Sequence, residues 1–421
     1  MLKVTKFGGS SLADAAGFQR VREIIRSDPS RRVVVVSAAG KRHAADHKIT
    51  DLLYLCHAHL QYGVSCWDLW RRITDRYTAI RDGCGLQTPI EQELEDIYSA
   101  LSPAASRDYL ASRGEYLSAR LMADYLGFAF VDAKDWLQFD YSGNVLHDQS
   151  YAALASAADG RKIVTPGFYG VLPGGEIHTF SRGGSDVTGA LAAAALHADL
   201  YENWTDVAGV LAADPKIVEH PASIPLLSYK QLGLLSGVGT QVLHESAVAP
   251  VREAEIPLRI CSTLEPHLPG TLICTQPGQS TEKRRTAFAG RRGVAMLRLA
   301  DDSLCADSLF FTLRNSGIQI FSTCCAPGQI TCLLEAARTE QLHAAVEELR
   351  LQLHPKTLKL RENLSVLAAL HEDSSTLPGL LRAIESAGVP VHHLLCQPPL
   401  SQLTVNDSQY ETALRAAYAA E

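Results

Sequence analysis

Lys6, Phe7, Gly8, Gly9, Ser10 and Ser11 place a cation, two glycines and two hydroxyls directly after an apolar stretch and before a helical pattern. Glycines let backbone amides approach an anion, a helix start attracts phosphate, and lysine adds compact positive charge. The spacing is neither GxxxxGK[ST] nor GxGxxG, so the chemistry indicated is phosphate contact by a different glycine turn. A plain turn after a strand reads the same residues equally simply.

A second segment joins PGFYG at 166–170 to FSRGGSDVTGALAAAAL at 180–196. Arg182 can grip a carboxylate through two parallel hydrogen bonds, Gly183 and Gly184 permit close approach, and Ser185 and Asp186 stand at a helix start. Asp186 serves as a helix cap on the alternative reading. The third segment, ENWTDVAGVLAADPKIV at 202–218, offers Thr205, Asp206, Asp214 and Lys216 beside a strand end and an Asp-Pro turn. Nucleotide binding and ordinary turn chemistry both suit it. What favours chemistry is the recurrence of glycine-rich segments, each after an expected strand.

The elements that position these residues follow from periodicity. Leu2 to Phe7, Ala13 to Arg26 and Arg32 to Ala38 read as strand, helix and strand, the opening of a parallel sheet. An α/β sandwich with helices on both faces is expected, its ligands lying beyond the carboxyl ends of the strands. The character changes over 276–292, QPGQSTEKRRTAFAGRR, a polar and basic stretch that reads as a linker. Beyond it, strands at 293–299, 317–322 and 329–334 accompany helices at 303–316 and 340–351. A related order returns at 364–370, 376–387, 389–395 and 410–419. Two βαββα modules are expected, at 293–358 and 359–421, after a large unit at 1–275.

The chain has 421 residues, enough for two or three units. A net charge of -7 offers no broad attraction for nucleic acid or an anionic membrane. No apolar run approaches a membrane span, and the N-terminus lacks a secretory pattern, so a cytoplasmic protein is expected. The ten cysteines, without a CxxC pair, read as free thiols. No set of metal-ligating side chains is picked out.

The three segments, together with VVVVSAAGKR (33–42), KITDLLY (48–54), RGEYLSARLMA (113–123) and VLHESAVAPVREAEIPL (242–258), resemble the aspartate kinases of the amino acid kinase family. The tail resembles their paired ACT modules. The resemblance implies transfer of the ATP γ-phosphoryl group to the β-carboxylate of L-aspartate, with Mg2+, at the start of lysine, threonine and methionine synthesis. It implies that Lys6 neutralises phosphate charge, that Gly8, Gly9 and Ser10 face the phosphates, and that Asp186 orients Lys6. Arg182 would clamp a substrate carboxylate and Glu115 its ammonium, with Ser37, Thr50 and Ser185 nearby. Thr205, Asp206, Asp214 and Lys216 would hold the nucleotide. Judged by its own helical surroundings, Glu115 reads instead as part of a solvated face.

Departures from the family pattern are visible. Lys216 stands where arginine is more usual, and Gln241 where many relatives carry lysine. Cys324 to Pro327 replaces a Ser-Glu pair that faces the effector in lysine-sensitive relatives. Weak or altered feedback inhibition is therefore expected, with dimerisation through the ACT strands as the other use of the tail. A homodimer or larger homo-oligomer is implied. Two competing readings are a relative using glutamate, acetylglutamate or a nucleotide as acceptor, and an inactive amino-acid-binding regulator.

Overall fold

Val4 to Phe7 and Val33 to Val36 are unbroken buried runs, the pattern of strands covered on both faces. In the computed structural model, which describes residues 1–181, 183–239, 243, 245–276, 286–301, 306–336, 339–371 and 374–421, they form the centre of a parallel sheet. By packing the chain divides into two units: 1–210, 225–229 and 243–277 make the first, and 211–224, 230–242 and 278–421 the second.

The first unit runs β1 (Lys3–Phe7), α1 (Ala15–Arg26), β2 (Arg31–Val36), α2 (Ile49–Gln61), α3 (Trp67–Gly83), α4 (Ile90–Ser99), α5 (Arg107–Leu126) and β3 (Ala129–Phe130). It continues through α6 (His147–Ala158), β4 (Ile163–Pro166), the hairpin β5 (Tyr169–Val171) and β6 (Ile177–Thr179), α7 (Gly184–Ala195) and β7 (Leu200–Thr205). Then come β8 (Leu226–Ser228), α8 (Tyr229–Val238), most of which packs in the second unit, α9 (Glu245–Glu253), β9 (Leu258–Ser262) and β10 (Thr271–Cys274).

The sheet order is β3-β4-β2-β1-β7-β9-β10-β8, parallel except where β10 runs against β9. The expected mainly parallel α/β core is therefore present. One face of the sheet, through Phe7, Val34 and Val36, shares a core with α1 to α5. Helix α7 packs on β1, β2 and β7 and also meets α6 and α9. Helix α1 starts where Asp14 accepts the Gly17 amide, a side-chain cap, and buries Phe18, Val21, Ile24 and Ile25 at helical spacing. Among the described residues no helix is long and apolar enough to cross a membrane.

The second unit carries β11 (Ala287–Ala300), α10 (Ala306–Asn315), β12 (Ile320–Ala326), β13 (Gln329–Glu335), α11 (Thr339–Leu353), β14 (Thr357–Leu370), α12 (Leu377–Ser386), β15 (His393–Gln397), β16 (Leu400–Asn406) and α13 (Tyr410–Ala419). That is βαββα twice. Both copies enter one antiparallel sheet of order β12-β13-β11-β14-β16-β15, in which the long first strands β11 and β14 pair at the centre.

Three details differ from expectation. Residues 287–292, expected in the linker, are the opening of β11, where Ala287 to Ala289 are buried against β14; 277–285 lie outside the described residues. Strand β16 is absent from the sequence reading because Gln402 and two buried small hydroxyl residues, Ser401 and Thr404, dilute its apolar signal. Residues 211–224 and 230–242, expected in the catalytic unit, belong by packing to the second: Ala213 and Val218 enter a core with Phe288, Leu380 and Tyr410.

Candidate active site

Because β2, β1 and β7 run parallel, their carboxyl ends fall along one edge, and the segments leaving them are laced together. The Gly8 amide donates to the Trp204 carbonyl (3.2 Å), the Ser37 amide to Phe7 (3.1 Å) and the Gly40 amide to Gly9 (2.8 Å). Gly9 and Gly40 stand back to back. A Cβ on Gly40 would fall 2.6 Å from the Gly9 carbonyl carbon, so any larger residue forces the two turns apart. Gly8, Gly9 and Ser10 thus occupy the strand-end turn, with Ser10 exposed.

Lys6 is buried, and its Nζ lies 2.6 Å from Asp186 Oδ1. The Nζ would be 3.6 Å from a Cβ placed on Gly8, which sets the ammonium over the glycine turn. Asp186 is in the first turn of α7, where the helix dipole also favours its charge. It does not cap the helix, since the N-cap position is Gly183 with φ 58. Ser185 is buried, and a Cβ on Gly167 would come within 2.6 Å of it, so Gly167 of PGFYG lets the start of α7 approach the turn that follows β4.

Glu115 corrects the expectation of a solvated helix face. Gly114 and Ser118 thin that side of α5, and a Cβ on Gly114 would meet Ala38 at 2.6 Å and Ile49 at 3.3 Å. The helix therefore presses onto the turn after β2, and Glu115 is left 5 % exposed. Burial pushes its carboxyl up to about 8, against the opposing pull of the Ala38 amide, its own amide and the Arg113 charge. Its Oε2 has no hydrogen-bond partner among the described residues. Thr50, half-buried, is in the first turn of α2, whose Ile49 amide donates to Ala39. Arg113 is held among the rings of Tyr109, Tyr116 and Tyr169 at 4.7, 4.8 and 5.5 Å.

The third segment divides. Thr205 ends β7 and its hydroxyl donates to the exposed Asp206 at 3.2 Å. Asp214 and Lys216 form an exposed turn, the Lys216 amide donating to Asp214 at 2.9 Å, and belong to the second unit. Arg182 and Gln241 lie outside the described residues.

Two residues carry no signal in the sequence. Asn203 Nδ2 donates to Asp186 Oδ1 at 2.8 Å; it lies within the third segment, but nothing in the sequence gives it a role there. Arg76, on α3, is 4 % exposed and donates to the carbonyls of Ala13 (3.2 Å) and Gly40 (2.8 Å) and to Asp46 (2.6 Å). Asp46, in turn, is held well below the usual carboxylate range, first by its hydrogen bond from Arg42. One guanidinium therefore ties the turn after β1 to the loop after β2. Arg76→Ala leaves the Ala13 and Gly40 carbonyls unpaired and Asp46 with Arg42 alone, and is expected to cost on the order of 3 kcal/mol in urea unfolding. A loss below about 0.5 kcal/mol, the range of ordinary surface changes, would contradict the clamp.

This fold and edge have known counterparts. The amino acid kinase family model matches residues 1–262. Aspartokinase 3 of Bacillus subtilis is 38% identical over 291 residues, covering 65% of this chain and 64% of that protein. Lysine-sensitive aspartokinase 3 of Escherichia coli is 31% identical over 322 residues, covering 70% and 69%. A crystal structure of Clostridium acetobutylicum aspartate kinase matches with a TM-score of 0.91 and 34% identity, covering 100% of both chains. The chain belongs to the amino acid kinase family, and within it to the aspartokinases.

Proposed function

We propose that the chain transfers the γ-phosphoryl group of ATP to the β-carboxylate of L-aspartate, releasing ADP and 4-phospho-L-aspartate. The observation that carries this reading is a glycine turn under Lys6 at the end of β1 together with the buried carboxyl of Glu115 on α5, whose Oε2 has no hydrogen-bond partner among the described residues. The first suits phosphates and the second an amino acid's ammonium.

Phosphoryl transfer to a carboxylate requires alignment and charge compensation, since the nucleophile is already ionised at neutral pH. Lys6 supplies positive charge at the phosphates, with Gly8, Gly9 and Ser10 offering amides and a hydroxyl, and Asp186 aims Lys6. Glu115, Thr50, Ser37, Ser185 and Arg182 hold aspartate; Thr205 and Asp206 hold the nucleotide. Mg2+ belongs to this reading: the Ser10 hydroxyl and the Asp206 carboxylate are exposed hard-oxygen donors that suit an ion carried mainly by phosphates. When bound, the ion neutralises phosphate charge.

Assembly with a second copy is part of the proposal, supported by β12 and β15, which end the six-stranded sheet with one described neighbour each. So are an amino-acid effector at the ACT modules and residence in the cytoplasm. A coupled ADP-release assay across aspartate, glutamate, acetylglutamate and UMP tests the activity. Turnover is expected with aspartate. Turnover confined to another acceptor, or none, overturns the assignment.

A further inference from the structure

Asp186 Oδ1 accepts two hydrogen bonds at once, from Lys6 Nζ at 2.6 Å and from Asn203 Nδ2 at 2.8 Å. Lys6 and Asn203 are direct partners in the parallel register of β1 and β7, so both side chains leave the sheet on the face covered by α7. Asn203 is 3 % exposed. An ionised carboxylate only accepts, so the amide nitrogen must be the atom turned toward it.

A second tie comes from two residues back on the same strand. Tyr201 donates through its hydroxyl to the Asp186 backbone carbonyl at 3.1 Å, and a Cβ on Gly189 would fall 2.4 Å from that hydroxyl. The first turns of α7 are thus fastened to β7 through both the backbone and the side chain of Asp186. Lys6 carries its cation on a long stem with several rotatable bonds. When Lys6 turns to a phosphate, a carboxylate held by lysine alone would be left without a fixed direction.

We infer that Asn203 is a positioning residue for phosphoryl transfer, holding Asp186 in place so that Asp186 aims Lys6 throughout the reaction. This rests on the proposed kinase activity but not on the identity of the acceptor. On this inference Asn203, which is buried, acts through Asp186 and not by contact with either substrate. Its effect falls on the alignment reached in the transition state, and so on kcat more than on KM.

Two variants test it, each compared with wild type on whichever acceptor the wild type uses, so that failure of the aspartate assignment leaves the comparison intact. Asn203→Leu keeps the volume and removes the donor; kcat is expected to fall about 10- to 100-fold with both KM values within about threefold. Asn203→Asp keeps the shape and sets a second carboxylate against Asp186. The charged and titratable groups facing it among the described residues are Lys6 from β1, Asp186 from α7 and Tyr201 from β7, while its partner on β9 is Ile260. Two carboxylates in contact share a proton more readily as pH falls, and the introduced carboxyl, once protonated, donates to Asp186 as the amide did. The ratio of variant to wild-type kcat is therefore expected to rise as pH is lowered from about 8.5 to 6. A change confined to stability would leave that ratio flat. An Asn203→Leu kcat within twofold of wild type, or a flat ratio for Asn203→Asp, overturns the inference.

Discussion

Lys6→Met is expected to lower kcat by about 10²- to 10³-fold, the range seen when one preorganised charge-stabilising donor is removed from a transition state. The side chain is buried against α7 and its ammonium lies over Gly8, so the substitution removes the charge while retaining most of the volume. Asp186 keeps its bond from Asn203, and the melting temperature is expected to shift by only a few degrees. The coupled ADP-release assay and a thermal melt measure the two effects separately. A kcat within threefold of wild type would remove Lys6 from the chemistry.

The second large effect belongs to Glu115 and is read in protons. Its folded value near 8 lies above the ordinary 4.5, so between these limits the native state holds a proton that the unfolded chain has lost. Stability of the ligand-free protein therefore falls as pH rises through that window. Glu115→Gln removes the slope and stabilises the protein progressively toward pH 8, with an upper bound of roughly 5 kcal/mol at about 1.4 kcal/mol per unit. An ammonium delivered to the buried carboxylate reverses the preference and expels the proton. Aspartate binding near pH 7 is expected to release close to one proton, measured by calorimetry in buffers of different ionisation enthalpy. In Glu115→Gln that release disappears and aspartate binding weakens by about 2 kcal/mol or more. Wild-type binding without proton release would show that the ammonium does not meet this group.

The glycine turn after β1 is legible because its signal is local: a strand, two glycines and a lysine within six residues leave few other conformations. Glu115 is legible only by resemblance. Its own helix surrounds it with tyrosines and arginines, and the cause of its burial is the fit of Gly114 against Ala38, which lies in another segment. Asn203 and Arg76 are hidden for the same reason. Their partners, Asp186 and the carbonyls of Ala13 and Gly40, are brought to them by strand register and helix packing. The repeated modules can be read from alternation and helical spacing, but β16 cannot. Residues 211–242 carry no mark in the sequence of which unit they will join.

That last feature bears on how the molecule can be divided. The chain leaves the first unit after Val210, returns at Pro225, leaves again after Tyr229, returns at Leu243 and leaves finally after Pro277. A fragment ending near 276 would carry Ala213 and Val218 without Phe288, Leu380 and Tyr410, the apolar neighbours that keep them from water. A truncation near 276 therefore cuts through the second unit itself and does not fall at a boundary between the two.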